Sequence, residues 1–127
     1  MADPHGAICG AELHLRDMEA EQAFYAKVAG WTYDTMPLAG GDGAYVIAKL
    51  GDKPIAGFLD MNLMPHLDGV PPHWLNYVAV DDVDASVQDV IDAGGQLRRP
   101  LFDIPAVGRV AVVEDVGGAK LALMTQA

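Results

Sequence analysis

The feature that most constrains how this chain folds is an internal repeat. A shift of 65 residues lays the sequence on itself without a gap. Asp17 falls on Asp82, Ala20 on Ala85, Gly30 on Gly95 and Gly43 on Gly108; Tyr45-Val46-Ile47 falls on Val110-Ala111-Val112, and Phe58-Leu59 on Leu123-Met124. The charges follow: residues 1–65 and residues 66–127 each carry four basic and nine acidic side chains. Literal identity along the chain is low. The repeat rests on identities and hydrophobic pattern agreeing in one register along nearly the whole chain. Such a chain is two copies of one supersecondary unit, and neither copy can cover its own sheet, so the two are expected to pack together.

Each copy reads as strand, helix and three further strands. In the first copy "CGAELHL" is a strand and "DMEAEQAFYAKVAG" a helix, with Asp17 as its cap and Glu19 and Glu21 near its positive end. Ala20, Phe24 and Val28 recur every fourth residue and predict its inward stripe, and Gly30 ends it. "WTYDTM", "AYVIAKL" and "PIAGFLDM" are the remaining strands. In the second copy "HWLNYVAV" leads to a helix capped by Asp82 or Asp84, with Val83, Val87, Val90 and Ile91 predicted inward and Gly94-Gly95 as its stop; "QLRRPLF", "RVAVVED" and "AKLALMT" follow. The expected architecture is α+β, a single domain over 1–127, with unit one at 7–61, a Pro- and Gly-containing linker at 62–72 and unit two at 73–126.

Composition excludes several functions. A net charge of -10 with no basic stripe argues against nucleic acid and against anionic membrane surfaces. No apolar run approaches the ~20 residues that span a bilayer. "MADPHGAICG" lacks the charged and apolar regions of a signal peptide, and Cys9 is the only cysteine, so a cytoplasmic protein is expected. No nucleophile elbow, P-loop or dinucleotide fingerprint is present.

"LRDMEAEQAFYAKVAGW", "VAVDDVDASVQDVIDAGG" and "DVGGAKLALM" together resemble the vicinal oxygen chelate superfamily, the glyoxalase, bleomycin-resistance and extradiol dioxygenase fold. The last segment is similar to the family's closing Asp-Pro-x-Gly, with Val116 in place of proline. "AFYAKVAGW", "PPHWLNYVAVDDVDA" and "DIPAVGRVAVVED" most resemble actinobacterial glyoxalase-related, hydroxylase-like antigen proteins, many of which have two such domains. The resemblance covers essentially the whole chain. It implies two βαβββ units forming an eight-stranded, partly closed barrel-like sheet around a cleft, a small-molecule ligand in that cleft, and a homodimer. In metal-dependent members it implies four ligands, placed on the first and last strands of each unit, around one divalent ion. Those positions here are Gly10, Gly57, Leu75 and Ala122, none of which offers a donor side chain, so no cofactor is expected.

Candidate site residues follow from strand alternation. If Gly10 faces the cleft, Glu12 and His14 share that face, about 7 Å apart along one strand. The pair can serve as an acid-base couple, as a hydrogen-bonding floor, or with His73 as a displaced metal site; a purely structural pair is the alternative. Tyr77, the repeat equivalent of Glu12, would offer a ring and a hydroxyl to a ligand, or fill the core. His73 would stand at the cleft rim, and Trp74, pointing the other way, under the helix or at a subunit contact. Arg109 could receive a carboxylate or pair locally with Asp103 or Glu114. Asp60 would line the site or cap the linker, and His66, with Met61 and Met64 nearby, would line a lid. Three functions fit: a metal-free small-molecule-binding protein; a lyase, isomerase or oxygenase of the same fold acting on a small oxygenated metabolite through Glu12 and His14; and a dimeric interaction module with a filled cleft.

Overall fold

The computed structural model describes residues 3–37, 44–63, 68–104 and 107–127. Among them the chain forms β1 (Ile8–Leu15), α1 (Met18–Ala29), β2 (Thr32–Pro37), β3 (Ala44–Leu50), β4 (Lys53–Asp60), a 3-10 turn at Met61–Leu63, β5 (His73–Ala79), α2 (Val83–Asp92), β6 (Gln96–Ile104), β7 (Gly108–Glu114) and β8 (Lys120–Gln126). This is the expected α+β chain with βαβββ written twice. It divides into two compact units, one of residues 11–74 and one of residues 75–127 joined by residues 1–10. We call these the N-terminal and C-terminal units.

Both units use the same strand order. In the N-terminal unit β1 runs parallel to β4, and β4, β3 and β2 follow antiparallel; in the C-terminal unit β5 runs parallel to β8, followed by β7 and β6. The sequence register is also the structural one. Glu12 lies opposite Gly57 on β4, and Tyr77 opposite Ala122 on β8; Ile47 faces Gly57, and Val112 faces Ala122. Each pair maps onto its counterpart by the 65-residue shift. The chain start belongs to the C-terminal unit, where the Gly6 amide donates to the Ala79 carbonyl at 2.7 Å and the Ala79 amide to the Ala7 carbonyl at 2.8 Å.

The two helices start alike. Asp17 accepts from the Ala20 amide at 3.1 Å, and Asp82 from the amides of Asp84 and Ala85 at 3.1 and 3.2 Å. Each carboxylate satisfies amides the helix itself cannot. Replacing Asp82 by alanine is expected to cost about 1 kcal/mol, read from the midpoint of urea unfolding. Gly30 closes α1 in the left-handed region, at φ 74°, with its amide on the Ala26 carbonyl at 3.1 Å.

The helix faces differ in part from expectation. On α2, Val83 and Val87 are buried and Val90 packs on them, as expected, but Ile91 is exposed and Ser86 takes the inward place. On α1 the predicted Ala20–Phe24–Val28 stripe faces out: Phe24 is 55% exposed and Val28 66%. Met18 and Tyr25, seven residues apart, face the sheet instead. Tyr25 stacks on Trp31 at 4.9 Å and meets Phe58 and Trp74 edge-on at 5.8 and 5.7 Å. The rings decide which face packs, because Tyr25 lies on the face that meets Trp31, Phe58 and Trp74.

The N-terminal core is therefore Leu13, Leu15, Val46, Ala48 and Phe58 under these aromatics. The Trp74 indole nitrogen donates to the Tyr25 hydroxyl at 3.2 Å, so Trp74 packs against the helix, one of its two expected places. In the C-terminal unit strand alternation builds an apolar cluster on each sheet face. Ala111 and Val113 point toward α2, while Val110 and Val112 point to a second cluster with Leu75, Tyr77, Ala122 and Met124.

Candidate ligand site

That second cluster locates the polar site by contrast. Its members Leu75, Tyr77, Val110, Ala122 and Met124 are the repeat equivalents of Gly10, Glu12, Tyr45, Gly57 and Leu59. Ala79, next on the same strand, corresponds to His14. One copy of this sheet face is almost wholly apolar. The other has acquired a carboxylate, an imidazole, a phenol and a glycine.

These residues meet within the N-terminal unit. Glu12 and His14 are 5% and 7% exposed. Their side chains converge from alternate positions of β1, with His14 Nε2 2.7 Å from Glu12 Oε1. The Tyr45 hydroxyl, from β3, donates to Glu12 Oε2 at 2.8 Å. A carboxylate only accepts, so His14 donates through Nε2–H, which leaves Nδ1 with its lone pair. His14 Nδ1 is buried and has no hydrogen-bond partner among the described residues. An orphaned buried polar atom is costly and uncommon, and calls for a partner that the described residues do not supply.

Gly57 makes the arrangement possible. A Cβ at this position would overlap the hydroxyl and Cζ of Tyr45. The phenol thus lies over the glycine backbone, and only the missing side chain lets it reach Glu12. Tyr45 was not among the residues singled out from the sequence. A glycine in the middle of a strand, opposite a buried glutamate, was the signal that another side chain comes in close.

The other sequence candidates are distributed as follows. The His73 ring meets the His14 ring edge-on at 4.9 Å, and its Nδ1 lies 2.9 Å from the Pro71 carbonyl. Arg16 holds the same segment, donating to the Val70 carbonyl at 3.0 Å and to Asn62 at 3.1 Å. Asp60 accepts from the Asn62 amide at 2.8 Å and so caps the 3-10 turn. Tyr77 is buried in the apolar cluster of the C-terminal unit. Arg109, also in that unit, pairs with Asp84 at 3.0 Å and Asp103 at 3.2 Å, and these hydrogen bonds, Asp84's first, raise its pKa. Glu114 pairs with Arg98 instead. His66 and Met64 lie outside the described residues. Cys9 is half-buried beside the C-terminal cluster, where burial, and then the Asp3 carboxylate, push its thiol pKa up; this disfavours a nucleophilic thiolate.

The family's divalent ion does not fit the side chains present. Its four expected positions hold two glycines, a leucine and an alanine, and the space over Gly57 is taken by Tyr45. Both Glu12 oxygens and His14 Nε2 are already engaged, and no group of three His, Cys, Asp or Glu side chains that could hold a metal ion occurs among the described residues.

A βαβββ duplication with this register defines a glyoxalase-type fold. Residues 11–123 match the model of the Glyoxalase/Bleomycin resistance protein/Dioxygenase superfamily, and the chain belongs to that family. Among curated proteins it is 40% identical over 112 residues to the putative glyoxylase CFP32 of Mycobacterium tuberculosis, covering 88% of this chain and 42% of that protein. It is 33% identical over 129 residues to the anthracycline biosynthesis protein DnrV of Streptomyces peucetius, covering 93% of this chain and 46% of that one. The chain thus spans less than half the length of these curated relatives. Solved structures of the same fold include methylmalonyl-CoA epimerase from Mycobacterium tuberculosis, at TM-score 0.65 and 18% identity over 100% of this chain and 93% of that one. Another is a Streptomyces coelicolor methylmalonyl-CoA epimerase in complex with 2-nitronate-propionyl-CoA, at TM-score 0.70 and 18% identity over 98% and 99%. Among the described residues no helix is long and apolar enough to cross a membrane.

Proposed function

We propose that this chain binds a small oxygenated organic molecule at the Glu12–His14–Tyr45 group, without the family's metal ion. The single observation that carries this reading is His14 Nδ1, buried and without a partner among the described residues, in a cluster whose other polar atoms are engaged. A ligand group seated there would satisfy it. His73, edge-on to His14, would form the rim. The exposed Phe24 and Val28 on α1 support a homodimer as the assembled form, to be checked by light scattering.

A second reading, enzymatic proton transfer, is favoured by the same geometry. A carboxylate that holds one imidazole nitrogen at 2.7 Å fixes the ring and stabilises the imidazolium formed when the other nitrogen takes a proton. His14 Nδ1 would be that base and Glu12 the group that orients it. A lyase or isomerase acting next to a carbonyl needs such a base.

The test is a thermal-shift screen of small hydroxy and keto compounds, with and without divalent metals, on the wild type and His14→Gln. Binding to the native state raises the melting temperature. The expected result is a metal-independent shift that is lost in His14→Gln. A shift that requires metal, or one unchanged in the variant, overturns the reading.

A further inference from the structure

We infer that Tyr45 sets the hydrogen-bonding polarity of this site, so that it takes a neutral ligand presenting a hydroxyl, as an enol or phenol does, and turns away carboxylates and neutral acceptors. The inference rests on the reading of the Glu12–His14 group as a ligand site. The donors converge on one acceptor: Tyr45 O–H goes to Glu12 Oε2 at 2.8 Å and His14 Nε2–H to Glu12 Oε1 at 2.7 Å. With both oxygens fixed, the carboxylate cannot rotate to offer the imidazole a different partner. The bare atom facing a ligand is then a lone pair, His14 Nδ1. A lone pair accepts from a hydroxyl. It repels a carboxylate, and it makes nothing with an ether oxygen.

Tyr45 acts here as a positioning residue, through Glu12 rather than on the ligand. Its own place is fixed by Gly57, where any side chain would overlap the phenol. Without the Tyr45 hydroxyl one of the hydrogen bonds that fix the Glu12 carboxylate is lost, and its hold on His14 Nε2–H weakens.

The experiment is nitrogen-15 NMR of His14 in the full chain, at a salt concentration that screens the net charge, with phenol, anisole and benzoate as probes. In the wild type Nε2 is expected to carry the hydrogen and Nδ1 to be bare. Phenol is expected to shift Nδ1 and to bind at least tenfold tighter than anisole or benzoate. In Tyr45→Phe both tautomers should appear and the phenol preference should fall below threefold. That variant keeps the ring, and a purely structural role for Tyr45 would leave the tautomer unchanged. A wild-type Nδ1–H tautomer, or benzoate or anisole bound as tightly as phenol, overturns the inference while leaving a ligand site in place. A bare Nδ1 that none of the three probes shifts overturns the ligand-site reading and this inference with it.

Discussion

Replacing His14 by leucine is expected to destabilise the protein by about 3 kcal/mol, the cost of depriving a buried carboxylate of the imidazole N–H it accepts from. Glu12 is 5% exposed and keeps the Tyr45 donor when His14 is lost. The contacts that remain do not replace the full solvation of a carboxylate. The triple replacement Glu12→Leu, His14→Leu and Tyr45→Phe should be less destabilising than His14→Leu alone, because it removes the polar group as a whole. It also moves the site toward the apolar character of its C-terminal counterpart, where Tyr77, Ala79 and Val110 stand at the same positions. Urea unfolding of the three proteins measures both steps. A triple variant as unstable as the single one would mean that packing, not unpaired charge, sets the cost.

Replacing Phe58 by alanine should cost a similar amount, about 3–5 kcal/mol. Phe58 is fully buried on β4 and its ring meets Tyr25, Trp31, Tyr33 and Trp74 at 5.4 to 6.3 Å. Four rings anchored elsewhere cannot all close on the space left behind, so most of the cavity persists. The loss should fall on the sheet face opposite Glu12 and His14, since Phe58 pairs with Leu13, and alternation sends that pair to the helix side. Stability measured by unfolding should drop, while the His14 tautomer in the folded protein should not change. A changed tautomer would show that the two faces of the sheet are coupled.

The repeat made the fold legible. Asp17 and Asp82 are both helix caps, and Glu12–Gly57 and Tyr77–Ala122 are equivalent cross-strand pairs. Strand alternation was enough to place Glu12 and His14 on one face, since a period of two leaves no choice. The face of α1 was not legible. The helix is weakly amphipathic, and the choice between Phe24 and Tyr25 is made by Trp31 and Tyr33 just beyond the helix and by Phe58 on β4. The same holds for Tyr45. On β3 it is one apolar-looking residue in "AYVIAKL", and its role appears only when β1, β3 and β4 are paired. Arg109 and Asp60 carry the side-chain types of a site, but their nearest partners are local: two aspartates for one, a turn amide for the other. Titratable residues at the ends of strands find such partners easily, and sequence alone does not rank them.

The phenol resting on a bare strand backbone also limits how this chain can change. Gly57 is one of the four positions where the family resemblance implies a metal ligand, and Tyr45 fills the volume a side chain there would need. The two positions are therefore contingent on each other. Residue 57 can grow only if the Tyr45 phenol moves or shrinks, and either change takes a hydrogen bond away from Glu12. A carboxylate introduced at 57 alone meets the Tyr45 phenol.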